Sequence, residues 1–142
     1  KKQRRTGALG MTKGDWLDLT VLERKKYNQL SEVMDLSRQL GEAMDRNDQV
    51  SLRMLISMRQ EPILQLEELK QAIEIKRGSL APEDQARVAA LESGAEPREE
   101  GEAAYAGQAG PARRLLERVV ELDRRLNSRL GGSDSYYAKR GK

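Results

Sequence analysis

The side chains that could take part in chemistry are carboxylates, amines and hydroxyls, because the 142-residue chain contains no His and no Cys. The commonest general base is therefore missing, and so is the thiolate that serves as nucleophile or zinc ligand. Glu67–Glu68 and Glu99–Glu100 are adjacent acidic pairs, but neighbouring helical residues point apart, which is typical of solvated faces. No phosphate-binding glycine loop or calcium-binding loop is present. The sequence predicts a protein that is not an enzyme and holds no metal and no cofactor.

The excess of positive over negative charge lies at the two ends of the chain. Lys1–Arg5 holds four basic residues, and 131–142 holds three basic residues and one acid. Because the whole chain carries +3, the segment between these ends is mildly acidic. A nucleic-acid-binding protein usually carries its charge on a folded face, so this distribution argues against nucleic acid as a partner. The lack of Cys, of an apolar run of membrane-spanning length and of a signal-peptide core favours a cytoplasmic location.

A long first helix is predicted from the capping signals near residue 12. Thr12 and Asp15 have the spacing of a capping box, in which each side chain accepts a hydrogen bond from the other residue's backbone. Met11 and Trp16 have the spacing of a hydrophobic staple across the same helix start. Apolar residues then recur at intervals of three and four until a polar turn at 46–48, which indicates an amphipathic helix.

A second long helix follows that turn. Asn47 or Asp48 can cap its start, and Gly78 is expected to end it. Pro62 stands in its middle and costs about 3 kcal/mol in a regular helix, so the helix is expected either to kink or to restart there. The short turn favours antiparallel packing of the first two helices.

The rest of the chain is predicted to hold one short and one long helix. Pro82 opens the short helix, which reaches to about Leu91. The segment 93–110 contains four Gly, one Pro and several acids, a composition that predicts a flexible acidic linker. Pro111 is then expected at the first position of the last helix, and the glycines at 131–132 at its end.

These elements predict an all-α fold, with a long antiparallel helical hairpin and a third long helix in a bundle or coiled-coil arrangement. Residues 1–11 are expected to be a disordered or non-native basic tail. Residues 12–130 would form a single helical domain interrupted by the linker, and 131–142 a C-terminal tail.

The last helix carries the most regular apolar stripe. Its members recur at intervals of three and four residues, as on one face of a helix. Two interpretations stay open: the stripe completes an intramolecular bundle, or it docks a partner's helix or a second copy of the chain. Two adjacent tyrosines in the tail could anchor on a partner or fold back on the bundle. The predicted partner-binding residues are Leu115, Val119, Leu122, Leu126, Leu130, Tyr136 and Tyr137.

Four methionines, Met34, Met44, Met54 and Met58, also have two interpretations. Methionine fills irregular gaps in a core and is equally common at adaptable binding surfaces. These residues either fill the core of the hairpin or, in part, face a partner.

The hairpin turn carries a family resemblance. The sequence LGEAMDRNDQVSLRML at 40–55, followed by MRQEPILQL at 58–66, ends one helix and opens the next. Together with LLERVVELDRRL at 115–126, it resembles the flagellar export chaperones of the FlgN and FliT type. The resemblance implies a small cytoplasmic bacterial protein with a helical hairpin. It also implies a client-binding last helix, with Leu115, Val119, Leu122 and Leu126 as the client-contacting stripe.

The predicted function is therefore that of a non-enzymatic protein-binding helical protein. Its most specific form is a flagellar or type III secretion chaperone that holds an amphipathic segment of an export client. The alternative is a self-associating coiled-coil scaffold or adaptor, with a homodimer as its unit. A second alternative is a nucleic-acid-associated protein that uses the basic tails.

Overall fold

The computed structural model describes residues 10–130. Four helices account for most of them: α1 (Lys13–Asp45), α2 (Gln49–Gly78), α3 (Pro82–Glu92) and α4 (Glu100–Leu130). The described residues contain no β-strand. The prediction of an all-α bundle, built on a long hairpin and a third long helix, is confirmed.

The three long helices lie side by side, with α1 packed against both α2 and α4. A turn at 46–48 reverses the chain, so α2 runs antiparallel to α1. At one end of the bundle, the rings of Trp16 and Tyr105 lie 5.8 Å apart. At the other end, Arg129 Nη2 lies 2.7 Å from Asp45 Oδ1. Helix α4 is therefore parallel to α1, and the short α3 lies in the connection that makes this return possible.

The helix starts follow the predicted capping chemistry. The Thr12 hydroxyl accepts from the Asp15 amide at 3.0 Å, and Asp15 Oδ2 accepts from the Thr12 amide at 3.0 Å. Asp48 accepts from the Ser51 amide at 3.0 Å and so caps α2. Asn47 adopts a φ of 57° in the turn, a left-handed conformation that asparagine tolerates better than most residues. Both caps satisfy amides that the first helical turn leaves without partners.

Helix α2 is continuous through Pro62, so the helix does not restart there. Pro62 removes one backbone donor, but its ring is buried. Its neighbours Ile63 and Leu66 pack against the central core of the bundle. Tertiary packing of the proline and of the turn that follows it therefore stabilises the helix that propensity alone would break.

The prediction of a flexible linker over 93–110 is wrong from Glu100 onwards, where the chain is helical. Pro111 is consequently not the first residue of the last helix but lies inside α4. The glycine-rich composition suggested a linker because glycine is a poor helix former. Burial of Tyr105 and Ala109 in the core explains why this segment is helical, since that packing offsets the glycine penalty.

The core consists of three apolar clusters stacked along the bundle. The basal cluster, where α3 packs, is formed by Trp16, Leu19, Leu80, Val88, Leu91, Tyr105 and Ala109. The middle cluster is formed by Leu30, Val33, Met34, Leu115 and Val119. The cluster near the hairpin turn is formed by Leu36, Leu40, Ala43, Leu52, Leu55, Ile56 and Leu126.

Candidate partner-binding surface

The predicted partner-binding stripe of the last helix lies against the rest of the bundle. Leu115, Val119 and Leu126 are buried, in clusters shared with α1 residues, and Leu126 also shares its cluster with α2 residues. Leu122 and Leu130 are half-buried. In this structure the stripe forms intramolecular contacts, so a partner could reach its buried members only by displacing α4 from α1. Tyr136 and Tyr137 lie outside the described residues.

One polar cluster joins all four helices at the base of the bundle. Arg77 of α2 donates through Nη2 to Glu92 Oε1 of α3 at 2.5 Å and to the Tyr105 hydroxyl of α4 at 3.1 Å. The Glu23 carboxylate of α1 interacts electrostatically with Tyr105 and Arg77.

The electrostatics of this cluster follow from its burial. Glu23 is 1% exposed, and burial raises its pKa, with Glu92 adding to the rise and Lys26 and Arg77 opposing it. Burial likewise raises the pKa of Tyr105 to about 12. The Glu23 carboxylate is closed to solvent, so its interactions are with neighbouring side chains of the bundle. Within residues 10–130, no group of acidic side chains could hold a metal ion.

A second ion pair fastens α3 to the start of α4. Arg87 donates to both Glu102 oxygens, at 3.1 and 2.7 Å, and the Arg98 amide donates to Glu102 Oε1 at 2.8 Å. The hydrogen bonds and charge of Arg87 are the main reason why the pKa of Glu102 is lowered. Beside this pair, a β-carbon on Gly101 would lie 2.8 Å from Trp16 Cδ1. Only glycine at this position permits such a close approach of α4 to the indole.

An open cavity of about 530 Å³ adjoins Trp16 between the starts of α1 and α4. Its apolar wall includes Met11 and Leu17, and charged Lys13 and Glu100 also line it. The volume falls within the range of ligand pockets, but the charges of mixed sign favour no particular ligand class.

Helix α2 presents the most regular exposed apolar surface. Val50, Met54 and Met58 lie one helical turn apart and are 68%, 55% and 50% exposed. Leu64, two heptads beyond Val50, is 55% exposed. These four residues, called here the α2 outer stripe, lie opposite the α2 face that packs into the core. Large apolar side chains that recur on one solvent-facing side of a helix are typical of helix-docking surfaces.

The methionines thus divide between the two interpretations that the sequence left open. Met34 is buried and Met44 is half-buried in the core, whereas Met54 and Met58 are exposed. Helical spacing gave a signal for this surface, since Val50, Met54 and Met58 recur every four residues. Periodicity alone could not show which face of α2 the rest of the chain covers.

No protein-family model, curated protein or solved structure matches the chain. The four helices themselves define the class of the protein, which is an all-α helical bundle. Among the described residues, none of the four helices combines the length and apolar character needed to cross a membrane.

Proposed function

We propose that the protein is a non-enzymatic binding protein that holds an amphipathic segment of a protein client. The finer form of the proposal is a cytoplasmic flagellar or type III secretion chaperone in a bacterium. The observation that carries it is the exposure of the α2 outer stripe on a bundle whose other long apolar stripe, on α4, is used internally.

The chemistry of the stripe suits an amphipathic helical client. Met54 and Met58 are flexible and polarisable, so they can adapt to different apolar side chains. A client helix would place its own apolar residues at intervals of three and four against Val50, Met54 and Met58. Binding at this surface leaves the core of the bundle unchanged.

The size of the stripe limits its affinity. Complete burial of a side chain such as Met or Leu is worth about 1.5–3 kcal/mol, and the stripe residues are already partly covered. Four such contributions barely exceed the low end of the association cost, about 4–15 kcal/mol. We therefore expect a client to make further contacts beyond the stripe, or to bind weakly and reversibly.

The proposal moves the client-binding surface from the last helix to α2. The family resemblance assigns client contact to Leu115, Val119, Leu122 and Leu126. The burial of three of these four side chains favours the α2 outer stripe for a client that binds the intact bundle.

A photo-crosslinking amino acid at position 54 tests the proposal. The matched control carries the same amino acid in place of Glu32, an exposed residue of α1. In native lysate, position 54 is expected to crosslink flagellar hook or filament export proteins, identified by mass spectrometry, and position 32 is not. Equal crosslinking from both positions, or none of these proteins from position 54, would contradict the proposal.

A self-associating scaffold is the second candidate function, and one observation favours it. Five positions of α2 follow the four-three spacing of a coiled-coil seam. Apolar residues occupy three of them (Val50, Met54 and Leu64), and the polar residues Ser57 and Glu61 occupy the other two. The nucleic-acid alternative depends on the basic ends of the chain, most of which lie outside the described residues.

A further inference from the structure

We infer that a second copy of this chain docks on the α2 outer stripe, with the two α2 helices antiparallel and Ser57 at the two-fold axis. This inference does not rest on client binding. It concerns the same surface but requires only the chain itself.

The spacing of residues about Ser57 supports this register. Val50 and Leu64 are each seven positions from Ser57, and Arg53 and Glu61 are each four positions from it. Residues at these offsets share one side of a helix, and all five are exposed. In the antiparallel pair, Val50 would meet Leu64 of the partner subunit, and Arg53 would meet Glu61 of the partner subunit. Two-fold symmetry makes each contact occur twice.

The charge distribution along α2 favours the antiparallel arrangement. With Ser57 at the axis, residues 49–65 of the two α2 helices lie side by side, and the exposed charged residues of this segment are Arg53 and Glu61. An antiparallel pair places each Arg53 opposite Glu61 of the partner subunit. A parallel pair would align like charges, which destabilises an interface.

The residues that would form this interface are accessible in the single chain. The α2 residues that face the bundle core, Leu52, Leu55 and Ile56, lie on the other side of the helix. Among ion pairs that join two described residues, none uses Arg53 or Glu61. Glu61 Oε2 accepts from the neutral Gln65 amide at 2.9 Å, so its negative charge stays available to a partner.

Ser57 suits the axis position because its side chain is small. Two helices can approach closely where a small residue meets its own symmetry mate, and Met54 and Met58 can then cover the axis on either side. The seam from Val50 to Leu64 extends over about 21 Å at 1.5 Å per residue. We expect such a short seam to bury less than the standard area of about 800 Å² per partner. The dimer should therefore dissociate on dilution.

Site-specific disulfide formation tests the register, because the chain has no Cys of its own. The full chain with Ser57→Cys is oxidised under mild conditions and examined by non-reducing electrophoresis. The control is Ser31→Cys on the exposed side of α1. The inference predicts a covalent dimer for Ser57→Cys, which forms at least about tenfold faster than for Ser31→Cys. Equal rates for the two variants would overturn it.

Charge exchange tests the pairing independently. Arg53→Glu and Glu61→Arg each place like charges together in a homodimer, so each is expected to weaken self-association about tenfold in sedimentation equilibrium. An equimolar mixture of the two variants pairs opposite charges again and should recover the lost affinity. Arg118→Glu, an exposed substitution on α4, is the control and should leave the equilibrium unchanged. A monomer at every concentration for the unmodified chain, or no recovery in the mixture, would overturn the inference.

These experiments contain no client, so their failure is distinguishable from failure of the proposed function. If the chain is monomeric and position 54 still crosslinks an export protein, the client proposal stands alone. If Ser57→Cys forms the dimer and no client is found, the self-association stands alone.

Discussion

Arg77 and Tyr105 join α2 to α4 through a hydrogen bond of 3.1 Å between the guanidinium and the phenolic oxygen. The same guanidinium binds Glu92 of α3, and the buried Glu23 carboxylate of α1 interacts electrostatically with both side chains. Residues from all four helices therefore contribute to this cluster. Hydrogen bonds from Arg77 therefore connect α2 to both α3 and α4 at the base of the bundle.

Removal of the Tyr105 hydroxyl should weaken this junction. Tyr105→Phe keeps the ring in the basal cluster but removes the hydroxyl that accepts from the Arg77 guanidinium, which should cost about 1–3 kcal/mol in the free energy of unfolding. Urea denaturation followed by circular dichroism measures the change. Tyr27→Phe, at a more exposed tyrosine of α1, is the control and should alter stability by less than about 0.5 kcal/mol.

Glu23 should make stability depend on pH in the direction opposite to that of most carboxylates. Its pKa is raised above the ordinary value of 4.5, so its contribution to stability is fully present below about pH 4.5 and is lost as the pH rises through the folded-state pKa. Glu23→Gln removes the ionisation, so the variant should gain stability relative to the unmodified chain at neutral pH. The difference should shrink towards pH 4.5. Urea unfolding across this range tests the sign, and a Gln variant that is less stable only at neutral pH would contradict it.

Gly101 should be intolerant of even one added carbon. Alanine favours a helix by about 1 kcal/mol over glycine, but the new β-carbon would lie 2.8 Å from the indole of Trp16. Forcing α4 away from α1 should cost about 1–3 kcal/mol, so Gly101→Ala should lower the melting temperature. Gly107→Ala is the matched control in the same helix, because nothing lies within 4 Å of a β-carbon there. It should raise the melting temperature.

Two adjacent valines separate the core of α4 from its surface. Val119 is buried in the middle cluster, whereas Val120 is 46% exposed. Val119→Asp buries a carboxylate without a partner and should destabilise the bundle severely, with loss of helical circular dichroism. Val120→Asp should retain the helical signal. If Val119→Asp stayed fully helical and lost only client capture, the stripe would be a partner surface and not core.

Local chemistry explains how much of the fold the sequence could predict. The capping box of Thr12 and Asp15, the Asp48 cap and the end of α2 at Gly78 are all confirmed. Each depends on residues within one helical turn of each other, so the sequence contains the whole signal. The short α3 helix was predicted for the same reason, from Pro82 and the acids that follow it.

The segment 93–110 could not be predicted in this way, because its structure depends on distant residues. Its glycines disfavour a helix locally, but Gly101 makes room for Trp16 and Tyr105 fills the basal cluster. The apolar stripe of α4 shows the same limit. Periodicity predicted a stripe on the last helix, but only the arrangement of the helices shows that α1 covers it and that the α2 outer stripe stays exposed.

We propose that the exposed stripe of α2 binds a protein partner while the stripe of α4 holds the bundle together. The most direct measurement is capture of flagellar hook or filament export proteins from native lysate by the immobilised full chain, compared with Met54→Glu and Val120→Asp. Circular dichroism first confirms that both variants are folded. We expect Met54→Glu to lose these proteins and Val120→Asp to retain them. Retention by Met54→Glu together with loss by Val120→Asp would refute the assignment to α2 and place the binding surface on α4.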